Sequence, residues 1–246
     1  MPFARASSLD RLLACSGGSF LGGTDVKSER AEEAADWGTL VHHWKATGEI
    51  KQVNEWKNHP ALFKRKLEKS GVKREDWWPV EDFFHEKAFA LDPDGGVVAY
   101  DGERAEAWKA ERDDRFCTGT CDGFGWMFDT LWVDDLKTGR FVSLEEYKQQ
   151  LRFYALCVVR LTAYRGDVNL TLTHWPRYPN HGQPVRMGMV IEQDDLKAFA
   201  KQLSRLRSEI LRGRDKPELV TLNPSESACL WCPSRGVCPA YERSGN

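Results

Sequence analysis

The segment Val133-Asp134-Asp135-Leu136-Lys137-Thr138-Gly139 contains the most informative pattern in the chain. Its apolar start predicts a buried β-strand, and its charged end predicts that the strand finishes at a polar site. Because neighbouring side chains of a strand point to opposite faces, Asp135 and Lys137 should share one face and Leu136 should lie on the other. A carboxylate and an ammonium group would therefore meet at the end of this strand.

A second strand carries another acid. Residues 118–128 and 130–137 are predicted to form a β-hairpin, which would bring Asp122 of the segment Gly119-Thr120-Cys121-Asp122-Gly123 to the same place. Hydrolysis of a phosphodiester needs an activated water and neutralisation of the developing negative charge. Mg²⁺ held by carboxylates does both, and a nearby lysine orients or deprotonates the water. Asp-x-Lys alone is more typical of a surface ion pair on an edge strand. The Asp122 segment at hairpin distance shifts the prediction towards a metal-dependent hydrolytic site.

Two predicted helices flank the hairpin. The helix over residues 30–47 contains Gly38-Thr39-Leu40-Val41-His42. The second helix opens at the capping box Ser143-Leu144-Glu145-Glu146 and places Gln150 and Tyr154, four residues apart, on one face. A helical histidine near an apolar face is also typical of a core or boundary residue. Gln150 or Tyr154 alone is more typical of an ordinary amphipathic helix, so the value of these features depends on the other motifs.

Taken in order, these four motifs resemble the RecB-like branch of the PD-(D/E)XK nucleases. That family has a Gly-x-x-x-His helix, a Gly-x-x-Asp strand, an Asp-x-Lys-Thr-Gly strand end and a Gln-x-x-x-Tyr helix. The resemblance implies an α/β, restriction-endonuclease-like fold with a mixed central sheet flanked by helices. The implied metal ligands are His42, Asp122, Asp135 and the carbonyl of Leu136; Lys137 would act on the water, and Gln150 and Tyr154 would position DNA or the lysine.

Adjacent residues leave alternatives open. His43 is an alternative to His42, and Asp134 is an alternative to Asp135. The motif spacing favours His42 and Asp135. Glu86 is a weaker candidate for the outer shell of the metal site, because a solvated charge before a strand explains it as well.

The seven cysteines form a second constellation. Cys229, Cys232 and Cys238 have the spacing C-x2-C-x5-C, and three thiolates bind a soft metal but leave one position open. Cys15, after a short predicted helix over residues 8–15, is the natural fourth ligand. The remaining cysteines are expected to be core thiols; they are Cys117, Cys121 and Cys157.

This arrangement, with one cysteine before the catalytic core and three after it, resembles that of the RecB-like nucleases that contain an iron–sulfur cluster. These include the nuclease domain of AddB-type helicase-nucleases and the CRISPR-associated exonucleases. The resemblance implies a 4Fe-4S iron–sulfur cluster that joins the two termini. Structural zinc is a competing interpretation, and a disulfide is a weaker one, because clustered cysteines in a reducing compartment more often bind metal.

The length of 246 residues suits one core, and we expect a single nuclease domain over residues 1–246. Its catalytic core would span residues 38–160, and residues 1–20 and 219–246 would form the cluster-binding region. No stretch approaches the roughly 20 apolar residues of a membrane span, so we expect a cytoplasmic protein without a membrane partner.

The formal net charge of −2 does not predict a nucleic-acid partner, so any DNA contact must come from local basic clusters. One basic run extends from Lys64 to Arg74 and ends at Trp77-Trp78, and another extends from Arg205 to Lys216. Each is equally typical of a solvated helix face. The resemblance implies DNA as substrate, with exonuclease action on single-stranded ends, and a helicase, CRISPR-adaptation or recombination partner.

Two other classes of function compete with this interpretation. A non-catalytic DNA-binding subunit would not need the intact Asp-x-Lys motif. An iron–sulfur redox protein usually holds its ligands in one compact run, whereas Cys15 lies far from the other three cysteines.

Overall fold

A computed structural model gives the fold of the chain. It describes the following residues: 4–21, 29–50, 59–71, 73–74, 83–92, 94–100, 115–138, 143–176, 184–225, 229 and 232–243.

Seven strands of the described residues form one mixed sheet. Their order is β3-β2-β4-β5-β6-β7, and β1 pairs in parallel with the start of β4. β5 and β6 are parallel, and the other neighbours along this order are antiparallel. The strands are β1 (Ala4–Arg5), β2 (Phe83–Leu91), β3 (Val97–Tyr100), β4 (Cys117–Met127), β5 (Thr130–Lys137), β6 (Val168–His174) and β7 (Val185–Ile191).

Helices cover both faces of this sheet. The crossover between the parallel strands β5 and β6 is the helix α4, as parallel pairing requires a long connection. None of the helices in the described residues combines the length and apolar character needed to cross a bilayer. The helices are α1 (Leu9–Ala14), α2 (Glu29–Thr47), α3 (His59–Ser70), α4 (Lys148–Thr162), α5 (Gln193–Asp215) and α6 (Pro239–Arg243).

Two apolar clusters make up the core. The larger one packs α1, α4 and α5 against one face of the sheet. The apolar stripe of α5 is buried in it and consists of Leu196, Phe199, Leu203, Leu206 and Ile210. The smaller cluster packs α2 and α3 on the other face, where Trp44, Phe63 and Trp175 contact one another at ring-centroid distances of 5.4–5.5 Å. Both faces of β5 are therefore covered.

The predicted mixed sheet with flanking helices is confirmed. The predicted hairpin is present as β4 and β5, and its turn consists of Phe128 and Asp129, both with positive φ. The α4 region opens with a 3-10 turn at Glu145–Tyr147. Of the two hydrogen bonds of the predicted capping box, the one from the Ser143 N–H to Glu146 Oε2 is present at 3.3 Å. The joining of the termini by a cluster stays a prediction.

Candidate active site

The candidate site lies where β4 and β5 separate. The strands pair from Met127 and Thr130 up to Gly123 and Asp134, and the recorded pairing stops there. Just beyond that pair, Asp122 Oδ2 accepts a 2.6 Å hydrogen bond from the backbone N–H of Leu136. In a regular β-ladder a backbone carbonyl would accept this hydrogen bond, and here the carboxylate of Asp122 accepts it instead. Asp122 is thereby fixed beside the end of β5.

Both strands around Asp122 are irregular. Cys121 and Phe124 pack in the same apolar cluster, although strict alternation would place them on opposite faces of β4. The alternation therefore shifts by one residue between them, next to Asp122. On β2, Glu86 lies opposite this point and has φ 47°, a conformation uncommon for residues other than glycine. Glu86 is exposed, and its role in an outer metal shell stays a prediction.

Asp135 is buried and is contacted from both β5 and α4. Lys137 Nζ lies 2.6 Å from Asp135 Oδ2 as an ion pair. Gln150 Nε2 lies 3.1 Å from Asp135 Oδ1 and 2.9 Å from the Tyr154 hydroxyl. Lys137 Nζ also lies 4.7 Å from the ring centroid of Tyr147. Tyr147 lies in the 3-10 turn before α4, and no sequence motif assigned it to the site.

His42 joins the site from α2. Its Nδ1 lies 2.9 Å from Asp122 Oδ1. One turn earlier on α2, a Cβ at Gly38 would lie 3.2 Å from Thr138 Oγ1, so glycine allows the helix to approach the end of β5 closely. In β4, a Cβ at Gly119 would lie 2.9 Å from Tyr154 Cε1, which explains the glycine of the second motif.

The structure separates the two adjacent acids of β5. Asp134 Oδ2 pairs with Lys45 Nζ at 3.1 Å, and its Oδ1 accepts hydrogen bonds from Thr171 and Thr173. Asp135 is the acid that contacts Lys137 and Gln150. The contact to Asp122 comes from His42, which is the residue that the motif spacing favours over His43.

Burial and neighbouring charges give the two acids different proton affinities. Burial opposes ionisation of Asp122, but His42, Lys45 and Lys137 outweigh it and hold the pKa of Asp122 well below its usual range. Burial raises the pKa of Asp135 to about 6, and the charge of Asp122 adds to this increase while Lys137 opposes it. Burial lowers the pKa of Lys137, but the two acids outweigh it and leave that pKa above its usual value. At neutral pH, two carboxylates and a protonated lysine therefore face one another.

The donor set suits a hard divalent cation. Carboxylate and carbonyl oxygens are the ligands that Mg²⁺ and Mn²⁺ prefer. Asp135 Oδ2 is buried and is contacted by Lys137 Nζ, and Gln150 Oε1 is buried without a hydrogen-bond partner among the described residues. Among the described residues, no three His, Cys, Asp or Glu side chains are arranged to hold an ion as they stand.

The four predicted cluster ligands line one cavity. Cys15 ends α1 and Cys238 directly precedes α6, so the cavity brings together the two ends of the described chain. Arg11 Nη1 lies 3.7 Å from the Cys232 sulfur. All four cysteines are free thiols; they are Cys15, Cys229, Cys232 and Cys238.

The other three cysteines are Cys117, Cys121 and Cys157, and each is fully buried. Burial raises the pKa of each thiol, so these cysteines stay protonated and unreactive. This agrees with the prediction that they are core thiols.

The basic run on α3 is only partly available to DNA. Lys66 Nζ donates a hydrogen bond to the Pro176 carbonyl and lies 5.4 Å from the Trp37 ring centroid. Burial lowers the pKa of Lys66 to about 8. Trp77 and Trp78, with which this run was expected to end, lie outside the described residues.

Comparison with known proteins identifies the family of this chain and a solved structure with a similar fold. A family model for the PD-(D/E)XK nuclease superfamily matches residues 6–239. No curated protein sequence matches the chain. The solved structure of a candidate exonuclease from Eubacterium rectale is 11% identical, with a TM-score of 0.52, over 98% of this chain and 87% of that chain.

Two further solved structures are more distant. An alkaline exonuclease from Laribacter hongkongensis is 11% identical, with a TM-score of 0.35, over 87% of this chain and 90% of that chain. A phage-related exonuclease from Haemophilus somnus is 11% identical, with a TM-score of 0.34, over 84% of this chain and 92% of that chain. Of the three TM-scores, only that of the Eubacterium rectale protein indicates a shared fold.

Proposed function

Because this chain belongs to the PD-(D/E)XK nuclease superfamily, we propose that it hydrolyses phosphodiester bonds in DNA with Mg²⁺ or Mn²⁺ bound where β4 and β5 separate. One observation carries the proposal: Asp122, Asp135 and Lys137 converge at this point, and His42 contacts Asp122. The ion would be held by the two acids, with the Leu136 carbonyl and His42 as further ligands. Bound there, it would supply an activated water and neutralise charge on the phosphate.

The protein groups would orient the reactants around this ion. The raised pKa of Lys137 keeps its ammonium protonated, which favours orienting the water and stabilising phosphate charge over removing a proton. Gln150 holds the Asp135 carboxylate, and the Tyr154 hydroxyl holds the Gln150 amide. Tyr147 holds the Lys137 ammonium over its ring.

We further propose exonuclease action on single-stranded DNA ends. The motif resemblance supports this choice, and the Eubacterium rectale structure that shares the fold is that of a candidate exonuclease. A helicase, a CRISPR-adaptation complex or a recombination complex would supply such ends. A non-catalytic DNA-binding subunit is the alternative, and the 2.6 Å Asp135–Lys137 contact favours catalysis over it.

A 4Fe-4S cluster in the four-cysteine cavity is part of the proposal. Thiolates are ligands for soft metals, and four cysteines that could supply them line this cavity. Arg11 would offset part of the negative charge of a thiolate-bound cluster. Zinc is the competing occupant, and iron, sulfide and zinc analysis of anaerobically purified protein separates the two.

The decisive experiment compares wild type with Lys137→Ala. End-labelled single- and double-stranded DNA is digested with and without Mn²⁺. We expect the variant to lose at least about a hundredfold in cleavage rate, because it lacks the group that orients water and stabilises charge. Its circular dichroism and visible absorbance should remain those of the wild type.

Lys197→Ala is the matched control, because Lys197 pairs with Asp194 in an exposed turn of α5. This control should cleave at the wild-type rate. Retained cleavage by Lys137→Ala would contradict the catalytic assignment. A wild-type protein that binds DNA in Mn²⁺ but leaves it intact would instead support the non-catalytic alternative.

A further inference from the structure

We propose that Lys45 and Asp134, which form a buried ion pair next to the metal site, are positioning residues that hold His42 and Asp135 in place for the ion. The inference rests on the proposed metal-dependent function. It adds Lys45, which neither the motifs nor the family resemblance assigns, and it gives Asp134 a positioning role instead of the alternative ligand role that the sequence left open.

The pair is buried and its carboxylate is fully bonded. The side chains of Lys45 and Asp134 are 3% and 1% exposed, and Lys45 Nζ lies 3.1 Å from Asp134 Oδ2. Asp134 Oδ1 accepts hydrogen bonds of 2.7 Å from Thr171 Oγ1 and 2.8 Å from Thr173 Oγ1. Arg186 Nε lies 3.9 Å from the same oxygen. The contacts join α2, β5, β6 and β7 at one carboxylate.

Stability alone does not account for such a pair. Removing two charges from water costs several kcal/mol for each ion, and well-packed apolar residues of similar volume are often at least as stabilising. A buried pair with fixed hydrogen bonds instead specifies one arrangement of the elements that carry it. Here those elements are α2 and β5, which also carry proposed ligands of the ion.

The pair is adjacent to the site on both elements. Lys45 follows His42 by three residues on α2, so the two side chains lie on neighbouring positions of one helix face. Asp134 directly precedes Asp135 and pairs with Gly123 at the last recorded β4–β5 rung. The ion pair therefore fixes the position of α2 along its axis, and its rotation about that axis, at the point where β4 and β5 separate. A shift of α2 would move His42 away from Asp122.

The test uses the double variant Lys45→Met/Asp134→Asn, which removes both charges and keeps similar side-chain lengths. The amide introduced by Asp134→Asn retains an oxygen that can accept the threonine hydrogen bonds. Isothermal titration calorimetry measures the affinity for Mn²⁺ alone, and cleavage is measured across Mn²⁺ concentrations. We expect Mn²⁺ to bind about tenfold more weakly, as for other residues that orient metal ligands. Cleavage at saturating Mn²⁺ should remain within about threefold of the wild type if positioning is restored by the ion.

Thr171→Val supplies a milder second variant, because it removes one hydrogen bond to Asp134 and keeps both charges. It should weaken Mn²⁺ binding by about threefold, in the same direction as the double variant. Lys197→Met/Asp194→Asn is the control, since it removes a Lys–Asp pair from the exposed start of α5. That control should bind Mn²⁺ as the wild type does.

Wild-type Mn²⁺ affinity in a folded double variant would overturn the inference. If the double variant fails to fold, Thr171→Val serves as the test. A wild-type affinity for Mn²⁺ in Thr171→Val would also overturn the inference. Failure of the proposed function is a separate result, because it requires that the wild type itself neither binds Mn²⁺ nor cleaves DNA.

Discussion

Lys137 and Asp135 shift each other's proton affinity in opposite directions. The acid favours the charged form of the lysine, and the lysine partly offsets the burial that raises the pKa of the acid. Tyr147 adds an aromatic face next to the same ammonium. Lys137 is therefore held in its charged form beside the proposed metal position, which suits contact with a phosphate group.

The lowered pKa of Lys66 allows a direct test of its burial. Its pKa is lowered from 10.5 to about 8 by burial. As pH rises through about 8, the folded protein loses this proton, whereas the unfolded chain keeps it until about 10.5. Lys66 therefore opposes folding below pH 8, and this cost disappears as the pH rises towards 10.5. In ¹³C-methylated protein, the Lys66 signal should titrate near pH 8.

The Lys66 signal is assigned by its loss in Lys66→Arg. Lys197, which is 70% exposed, is the reference within the same spectrum. A Lys66 midpoint equal to that of Lys197 would contradict the packing of Lys66 between Trp37 and the Pro176 carbonyl.

The β4–β5 turn is the element that most clearly departs from its preferred sequence. Phe128 and Asp129 have φ of 50° and 60°, and Phe128 is 94% exposed. Two-residue hairpin turns with positive φ at both positions favour Asn-Gly. Phe128→Asn/Asp129→Gly should therefore stabilise the protein by about 1 kcal/mol and raise Tm by about 2–4 °C.

Differential scanning calorimetry measures this change in Tm. Cleavage should stay at the wild-type rate, because the turn lies at the opposite end of the hairpin from Asp122 and Asp135. A lower Tm in this variant would show that the turn does not have the left-handed geometry described above.

At the level of elements, local patterns could be predicted from the sequence and distant pairings could not. The helical stripe of α5 and the β4–β5 hairpin follow from apolar spacing, which is a local property. The choice between Asp134 and Asp135 depends on Lys45, which is 89 residues from Asp134 in sequence. No local pattern marks that pairing. The irregular φ of Glu86 likewise depends on the neighbouring strand β4.

The whole molecule brings Cys15 into one cavity with three cysteines from the other end of the chain. Asp10 on α1 accepts a hydrogen bond from the backbone of Gln149, at the start of α4. α1 therefore connects the cysteine cavity with the helix that carries Gln150. An occupied four-cysteine site would constrain the unfolded chain as a long-range crosslink does.

Cys15→Ser tests this crosslink. Purified anaerobically, the variant should lose cluster iron and sulfide, and its free energy of unfolding should fall by up to about 5 kcal/mol, by analogy with closure of a long disulfide loop. Cys157→Ala is the control, because Cys157 is a buried core thiol and should leave the iron content unchanged. Wild-type iron and sulfide in Cys15→Ser would contradict the assignment of Cys15 as a ligand.

The most direct test is a crystal of the wild-type protein soaked in Mn²⁺ and measured by anomalous scattering. We predict an anomalous peak between β4 and β5, bonded to the carboxylates of Asp122 and Asp135, with Lys137 beside it. A well-ordered site without a peak, or a peak that none of these side chains touches, would contradict the metal-dependent mechanism.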